Sequence, residues 1–104
     1  MEKHESNIIH PGTILKEDVI LPTGLSITEA SGLLGISRLS LSRIVNEKGG
    51  ITPNIALRIE KVFGGKADFW LRLQRTYDLE KERIYFRNNP PIIKSFKYPA
   101  SALI

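Results

Sequence analysis

The stretch Leu25–Pro53, LSITEASGLLGISRLSLSRIVNEKGGITP, decides how the rest of the chain is read. Ser26 is a helix N-cap with Glu29 three residues on, the spacing at which each side chain closes on the other's backbone N–H. Ile27, Ala30, Leu33 and Leu34 follow at helical spacing and are expected to face inward. Gly35 lets the chain leave that helix through a left-handed conformation, which costs little without a Cβ. Ile36 plugs the turn, and Ser37 caps a second helix expected to run to about Glu47. Gly49-Gly50 ends it, and Thr52-Pro53 opens another helix as N-cap and first helical position.

Two short helices joined by a glycine-bearing turn form a helix-turn-helix, whose second helix lies in the DNA major groove. At about 100° per residue, Leu41, Ile44 and Val45 share one face of that second helix. Leu39, Arg43 and Asn46 lie opposite, flanked by Ser40 and Ser42, with Arg38 near the amino end. Arginine pairs bidentately with guanine or grips phosphate, asparagine serves adenine or phosphate, and serine is a versatile hydrogen-bonder. Arg38, Leu39, Ser40, Ser42, Arg43 and Asn46 are therefore the candidate base-reading set. Leu39 either touches a thymine methyl group or is an isolated exposed leucine. Helix starts favour anions, so Ser26 with Thr28, Ser37, and Thr52 with Asn54 are candidate phosphate contacts, each alternatively a cap serving its own helix. Lys48 joins them as a cation near the DNA backbone.

Outward from this segment, helical patterning continues. His10-Pro11-Gly12 starts a first helix with Ile14, Leu15 and Val19 as its apolar stripe, and Pro22-Thr23-Gly24 is a turn. Ile55, Ile59, Val62 and Phe63 make one buried face of a fourth helix, stopped by Gly64-Gly65. A fifth, from about Ala67 to Ile84, carries Phe69, Trp70, Leu73 and Tyr77 on one side. That face is expected to be core or, where left uncovered, a self-complementary dimer contact. The expectation is an all-α, five-helix fold. Residues 1–84 form the domain, with the helix-turn-helix at 26–47 and the C-terminal helix at 67–84. Residues 1–9 read as an arm and residues 85–104, with three prolines, as an extended or disordered tail in which IIKSFKY is a candidate short strand.

Composition narrows the function. A chain of 104 residues with 41% hydrophobic and 25% charged residues fits one ordinary globular domain. No apolar run is long enough to span a membrane, and the first ten residues lack a secretory signal's apolar region. Without cysteine there is no disulfide, thiolate metal site or catalytic thiol, which fits a reducing, cytoplasmic setting. With only His4 and His10, no catalytic or metal-binding histidine cluster is expected, and no cofactor or enzyme activity. The charge is uneven. Residues 1–37 carry two lysines against five acids, while residues 38–104 carry thirteen cations against six acids. The basic body suits a polyanion such as DNA, and the acidic first third a basic protein, unless both are ordinary solvated surface.

Several motifs together resemble the HigA-type antitoxins, a branch of the lambda-repressor-like (XRE) helix-turn-helix proteins. The resemblance spans roughly residues 10–82. It rests on His10-Pro11-Gly12 with Ile14-Leu15, Gly24-Leu25-Ser26, Leu34-Gly35-Ile36-Ser37-Arg38, Ile51-Thr52-Pro53 with Ala56-Leu57-Arg58, and Phe69-Trp70-Leu71 with Leu73-Gln74 and Tyr77-Asp78-Leu79. The chain departs from the pattern at Thr13, where an acidic residue is frequent, and at Ser31, where alanine is usual. The resemblance implies a homodimer on palindromic operator DNA that represses its own toxin–antitoxin operon. It also implies direct neutralisation of a cognate toxin of the HigB type, a ribosome-dependent mRNA-cleaving protein. An RNA-cleaving toxin should be basic, so Glu17-Asp18 and the arm are the expected toxin contact. The alternatives are a free-standing repressor without a toxin and an interaction module that has lost DNA binding.

Overall fold

A computed structural model describes residues 8–100. Among them the chain forms five α-helices and no strand: α1 (Pro11–Ile14), α2 (Ile27–Leu34), α3 (Arg38–Val45), α4 (Pro53–Phe63) and α5 (Ala67–Asn88). The N-terminal arm lies almost wholly outside the described residues.

The first helix is not uniform. After α1 the backbone widens into a π-helical stretch over Leu15–Ile20 and tightens into a 3-10 turn over Leu21–Thr23. Its start is fixed by His10, whose Nδ1 accepts the Gly12 N–H at 2.9 Å, with Pro11 at the first helical position. Leu15 and Ile20 are buried by this path, whereas Val19 is half-buried.

The expected capping box of α2 is present: Ser26 Oγ accepts the Glu29 N–H at 3.0 Å and Glu29 Oε1 accepts the Ser26 N–H at 2.9 Å. Gly35, at φ +69°, ends α2. The N–H groups of Gly35 and Ile36 then satisfy the carbonyls of Gly32 and Ser31, so the turn uses its own backbone donors. One inward assignment fails. Leu33 is 57% exposed, because the faces of α2 turned to α3 and α4 are filled by Ala30, Ser31 and Leu34.

The core joins Leu15 and Ile20 to Ala30, Leu34, Leu41, Ile44, Val45, Ile51, Ala56, Ile59 and Trp70. The start of α5 is capped from another helix: Glu60 Oε2 of α4 accepts the Ala67 N–H at 3.0 Å. Four residues longer than expected, α5 reaches Asn88, and beyond it residues 89–99 have no regular structure. IIKSFKY is therefore not a strand here. Among the described residues its backbone has no neighbouring strand to pair with, and Ile92, Ile93, Phe96 and Tyr98 are all exposed. The radius of gyration is 18.4 Å. A compact chain of this length is expected near ~13 Å, the excess reflecting the projecting end of α5 and the tail.

Candidate nucleic-acid interface

α3 presents two chemically distinct sides. Leu41, Ile44 and Val45 are buried against the core, while Arg38, Leu39, Ser40, Arg43 and Asn46 are exposed and Ser42 is half-buried. Ser37 caps the helix by accepting the Ser40 N–H at 3.0 Å. Leu39, at 70% exposure, is the most open large apolar side chain of the helical domain.

Two of the expected base readers are occupied by their own chain. Arg43 Nη2 donates to the Lys48 carbonyl at 3.1 Å, closing the loop that follows α3. Asn46 folds back, its Nδ2 donating to the Ser42 carbonyl at 2.8 Å and lying 3.3 Å from Ser42 Oγ. Asn46 also ends α3, so the helix stops short of Glu47. Glu47 takes a left-handed φ of +63°, and its Oε2 accepts the Thr13 hydroxyl at 2.8 Å. Thr13 thus ties α1 to the end of the recognition helix.

The expected phosphate contacts divide. At α2 the capping box occupies Ser26 and places the Glu29 carboxylate at the helix start. The Ser26 backbone and then its side chain hold that carboxyl below its usual range. A fixed anion there opposes a phosphate, leaving the exposed Thr28 as the stronger of that pair. At α3 the Ser37 hydroxyl donates to Ser40 Oγ at 2.8 Å as well as capping. At α4, Thr52 accepts the Ile55 N–H at 3.2 Å, and Asn54 Oδ1 accepts from Arg58 Nε at 2.7 Å. The Asn54 amide nitrogen is then the outward donor. Lys48 is exposed beside the loop that Arg43 closes.

Three residues that hold this surface were not among the expected site residues. Arg58 spans α4 and the turn, its Nη1 donating to the carbonyls of Leu34 at 2.9 Å and Gly35 at 3.1 Å. Gln74 of α5 accepts the Ile51 N–H at 2.7 Å through Oε1 and donates to Asp78 at 3.0 Å. His10 is buried and meets Tyr77 edge-to-face, ring centroids 4.7 Å apart. Burial lowers the His10 pKa, against the pull of Glu47, Asp78 and a backbone hydrogen bond with Gly49, with Lys81 adding to the lowering. Arg58 and Gln74 belonged to recognised motifs, and Arg58 stands one helical turn from Asn54.

The aromatic face of α5 is also divided. Trp70 is 3% exposed within the domain's own core, Leu73 packs against that core, and Tyr77 lies on His10. Phe69 is exposed, its ring 5.1 Å from Trp70. The expected dimer set is therefore largely occupied within one chain. The other exposed large apolar residues of α5 lie further along, at Leu79, Tyr85 and Phe86.

A helix-turn-helix whose second helix is held rigidly beneath an exposed, cation-bearing face defines a DNA-binding protein. Comparison with known proteins places it more closely. A helix-turn-helix family model matches residues 17–70, and the chain belongs to that family, in its lambda-repressor-like (XRE) type. It is 44% identical over 78 residues to virulence-associated protein I of Dichelobacter nodosus, covering 75% of this chain and 72% of that one. It is 41% identical over 69 residues to the Escherichia coli HTH-type transcriptional regulator YbaQ, covering 66% of this chain and 61% of that one. The solved structure of Pseudomonas aeruginosa antitoxin HigA with the higBA promoter superposes with a TM-score of 0.78 at 27% identity, over 86% of this chain and 99% of that one. The fold is that of HigA-type antitoxins. Among the described residues no helix is long and apolar enough to cross a membrane.

Proposed function

We propose that this chain is an antitoxin that binds palindromic operator DNA as a homodimer and represses its own toxin–antitoxin operon. In the same reading it neutralises a HigB-type mRNA-cleaving toxin by direct binding. The observation that carries the DNA half is the exposed face of α3, with Arg38, Leu39 and Ser40 at its amino end above a buried Leu41-Ile44-Val45 face. The likeness to HigA with its promoter supports the same assignment.

Two-fold pairing would set two such helices about 34 Å apart, one turn of duplex. Glu17 and Asp18 are exposed on the π-helical stretch, on a different element from the reading helix, and form the acidic surface offered to a basic toxin. The protein acts without cofactor, in the cytoplasm, and is not an enzyme. Binding to the gene's own upstream DNA tests the operator half, and growth rescue on co-expression with the adjoining gene's product tests the toxin half.

A second reading, a free-standing repressor without a toxin partner, is favoured by the 41% identity to the regulator YbaQ. Operator binding without growth rescue or co-purification of the neighbouring product would establish it.

A further inference from the structure

The loop between the reading helix and α4 is held at its two ends by different elements. At its start, the Arg43 carbonyl accepts the N–H groups of Lys48 at 2.7 Å and Gly49 at 3.1 Å, so this end moves with α3. At its far end, the Ile51 N–H donates to Gln74 Oε1 at 2.7 Å, so that end is fixed by α5. Gly49 and Gly50 lie between, with no side chains of their own to pack. A cleft of about 400 Å³ opens where the loop faces α5, with Gly50, Thr52, Gln74 and Tyr77 in its lining. The loop rests on the Gln74 amide: a Cβ at Gly50 would stand 3.2 Å from Nε2 and 3.3 Å from Oε1. Beyond Ile51 the chain enters α4 through Thr52, Pro53 and Asn54.

Glutamine suits this place for a chemical reason. The carboxylate of Asp78, one turn further along α5, can only accept, and it takes a hydrogen bond from Gln74 Nε2 at 3.0 Å. That contact turns the amide so that its oxygen, not its nitrogen, meets the Ile51 N–H. Ile51 is buried, so water does not replace a lost acceptor there at little cost. A glutamate would lack the donor and set two carboxylates together. A leucine would lack donor and acceptor alike.

We infer that Gln74 is a positioning residue for DNA binding: its amide, oriented by Asp78, holds the end of the α3–α4 loop so that Lys48, Thr52 and Asn54 meet the phosphate backbone together. In this role Gln74 acts through the loop and not by touching DNA. The inference rests on the DNA-binding reading proposed above. It adds a link from α5, which lies outside the helix-turn-helix, to the contacted strand.

The test exchanges donor and acceptor. Gln74→Glu should oppose two carboxylates and weaken binding. Gln74→Glu combined with Asp78→Asn returns one donor and one acceptor to the pair at unchanged net charge, and should recover most of the loss. Affinities of the full-length chain are measured by fluorescence anisotropy on the gene's own upstream duplex and on a scrambled duplex. The temperature is one at which circular dichroism shows every variant fully folded. Phosphate contacts carry no sequence, so Gln74→Leu should weaken binding to both duplexes by a similar factor, about 3- to 10-fold, roughly the weight of one hydrogen bond. A loss confined to the upstream duplex would show that Gln74 acts on α3 and would overturn the inference. Full affinity in Gln74→Leu, or a paired variant no better than Gln74→Glu, would overturn it too. A native chain that binds neither duplex would overturn the DNA-binding reading as well.

Discussion

Gly12 lies against the main-chain carbonyl of Ile44: a Cβ placed on it would stand 1.8 Å from that oxygen and 3.0 Å from His10 Nδ1. The first helix thus touches the last turn of the recognition helix backbone to backbone, and neither obstructing group can move cheaply. Gly12→Ala should therefore destabilise the domain by about 1–3 kcal/mol or more, as overpacking of a rigid contact does. Gly32 provides the contrast. Nothing lies within 4 Å of its Cβ position inside α2, so Gly32→Ala should stabilise by about 0.5–1 kcal/mol. Urea denaturation of both variants checks the pair. Equal effects would mean that helix propensity, not the Ile44 contact, governs both sites.

His10 makes the same junction sensitive to acid. Its Nδ1 must be unprotonated to accept the Gly12 N–H, and burial holds the imidazole in that neutral form. The folded-state pKa is below the unfolded value of about 6.5, so the unfolded chain binds the proton more readily. The contribution is fully present above about pH 6.5 and is lost as pH falls from there through the lowered folded-state value. His10→Asn keeps an accepting cap but removes the titration. Its stability should be flatter than that of the native chain between pH 7 and 5, while His10→Ala should lose about 0.5–2 kcal/mol at pH 7. Thermal melts across that range decide it; an unchanged slope in His10→Asn would remove His10 from the account.

The helical framework was legible because its signals are local. Ser26 with Glu29, Gly35, Ser37 and Thr52-Pro53 each act within a few residues, and all four ends form as expected. The inner and outer faces of α3 were readable for the same reason. Less was readable where distant residues compete for one group. Arg43 and Asn46 looked like free readers, but a loop carbonyl and a preceding turn bind them. Ser26 reads from sequence both as a cap and as a phosphate contact, and the capping box that forms commits its hydroxyl to the Glu29 N–H. The face of α5 reads from sequence as core or dimer contact, because the spacing that aligns Trp70, Leu73 and Tyr77 does not say that Trp70 and Leu73 pack in the chain's own core and Tyr77 on His10. The clamp made by Arg58 has no local signature, since two of its partners, the Leu34 and Gly35 carbonyls, lie 24 and 23 residues earlier in the chain.

The occupied state of Arg43 separates it from Arg38. Arg43→Ala removes a cation and also frees the Lys48 carbonyl, so it should weaken operator binding and loosen the loop after α3. Arg38→Ala should chiefly weaken binding, with little effect on stability. Each should lower the steepness of the salt dependence by roughly one phosphate if it acts as a backbone contact, or cost about 1–3 kcal/mol at one base pair if it reads guanine. Binding titrations at several salt concentrations, on operator and on scrambled duplex, distinguish these outcomes.

Leu39 tests the reading of the helix face in a different way. A thymine-methyl contact is specific but uncharged, so Leu39→Ala should alter preference at one A·T position and leave affinity for scrambled DNA unchanged. The slope of affinity against salt should also be unchanged, because an uncharged side chain neutralises no phosphate and so releases no counterion. A uniform loss on every sequence would instead identify Leu39 as a structural element of the face.

Arg58 links the stability of the turn to the presentation of Asn54. One guanidinium donates to the carbonyls of Leu34 and Gly35 and, through Nε, to Asn54 Oδ1. A lysine carries the charge but not the planar fork, so Arg58→Lys should recover little of the roughly 2–3 kcal/mol expected to be lost in Arg58→Ala. Asn54→Ala alone should cost little stability, because its amide nitrogen faces outward. The combination should be non-additive in DNA affinity: once Arg58 is gone, Asn54 is no longer oriented, and removing it should cost less than in the native background. A double-mutant cycle on operator binding measures this coupling. Strict additivity would show that Asn54 and the Arg58 clamp act independently, confining Arg58 to holding the turn between α2 and α3.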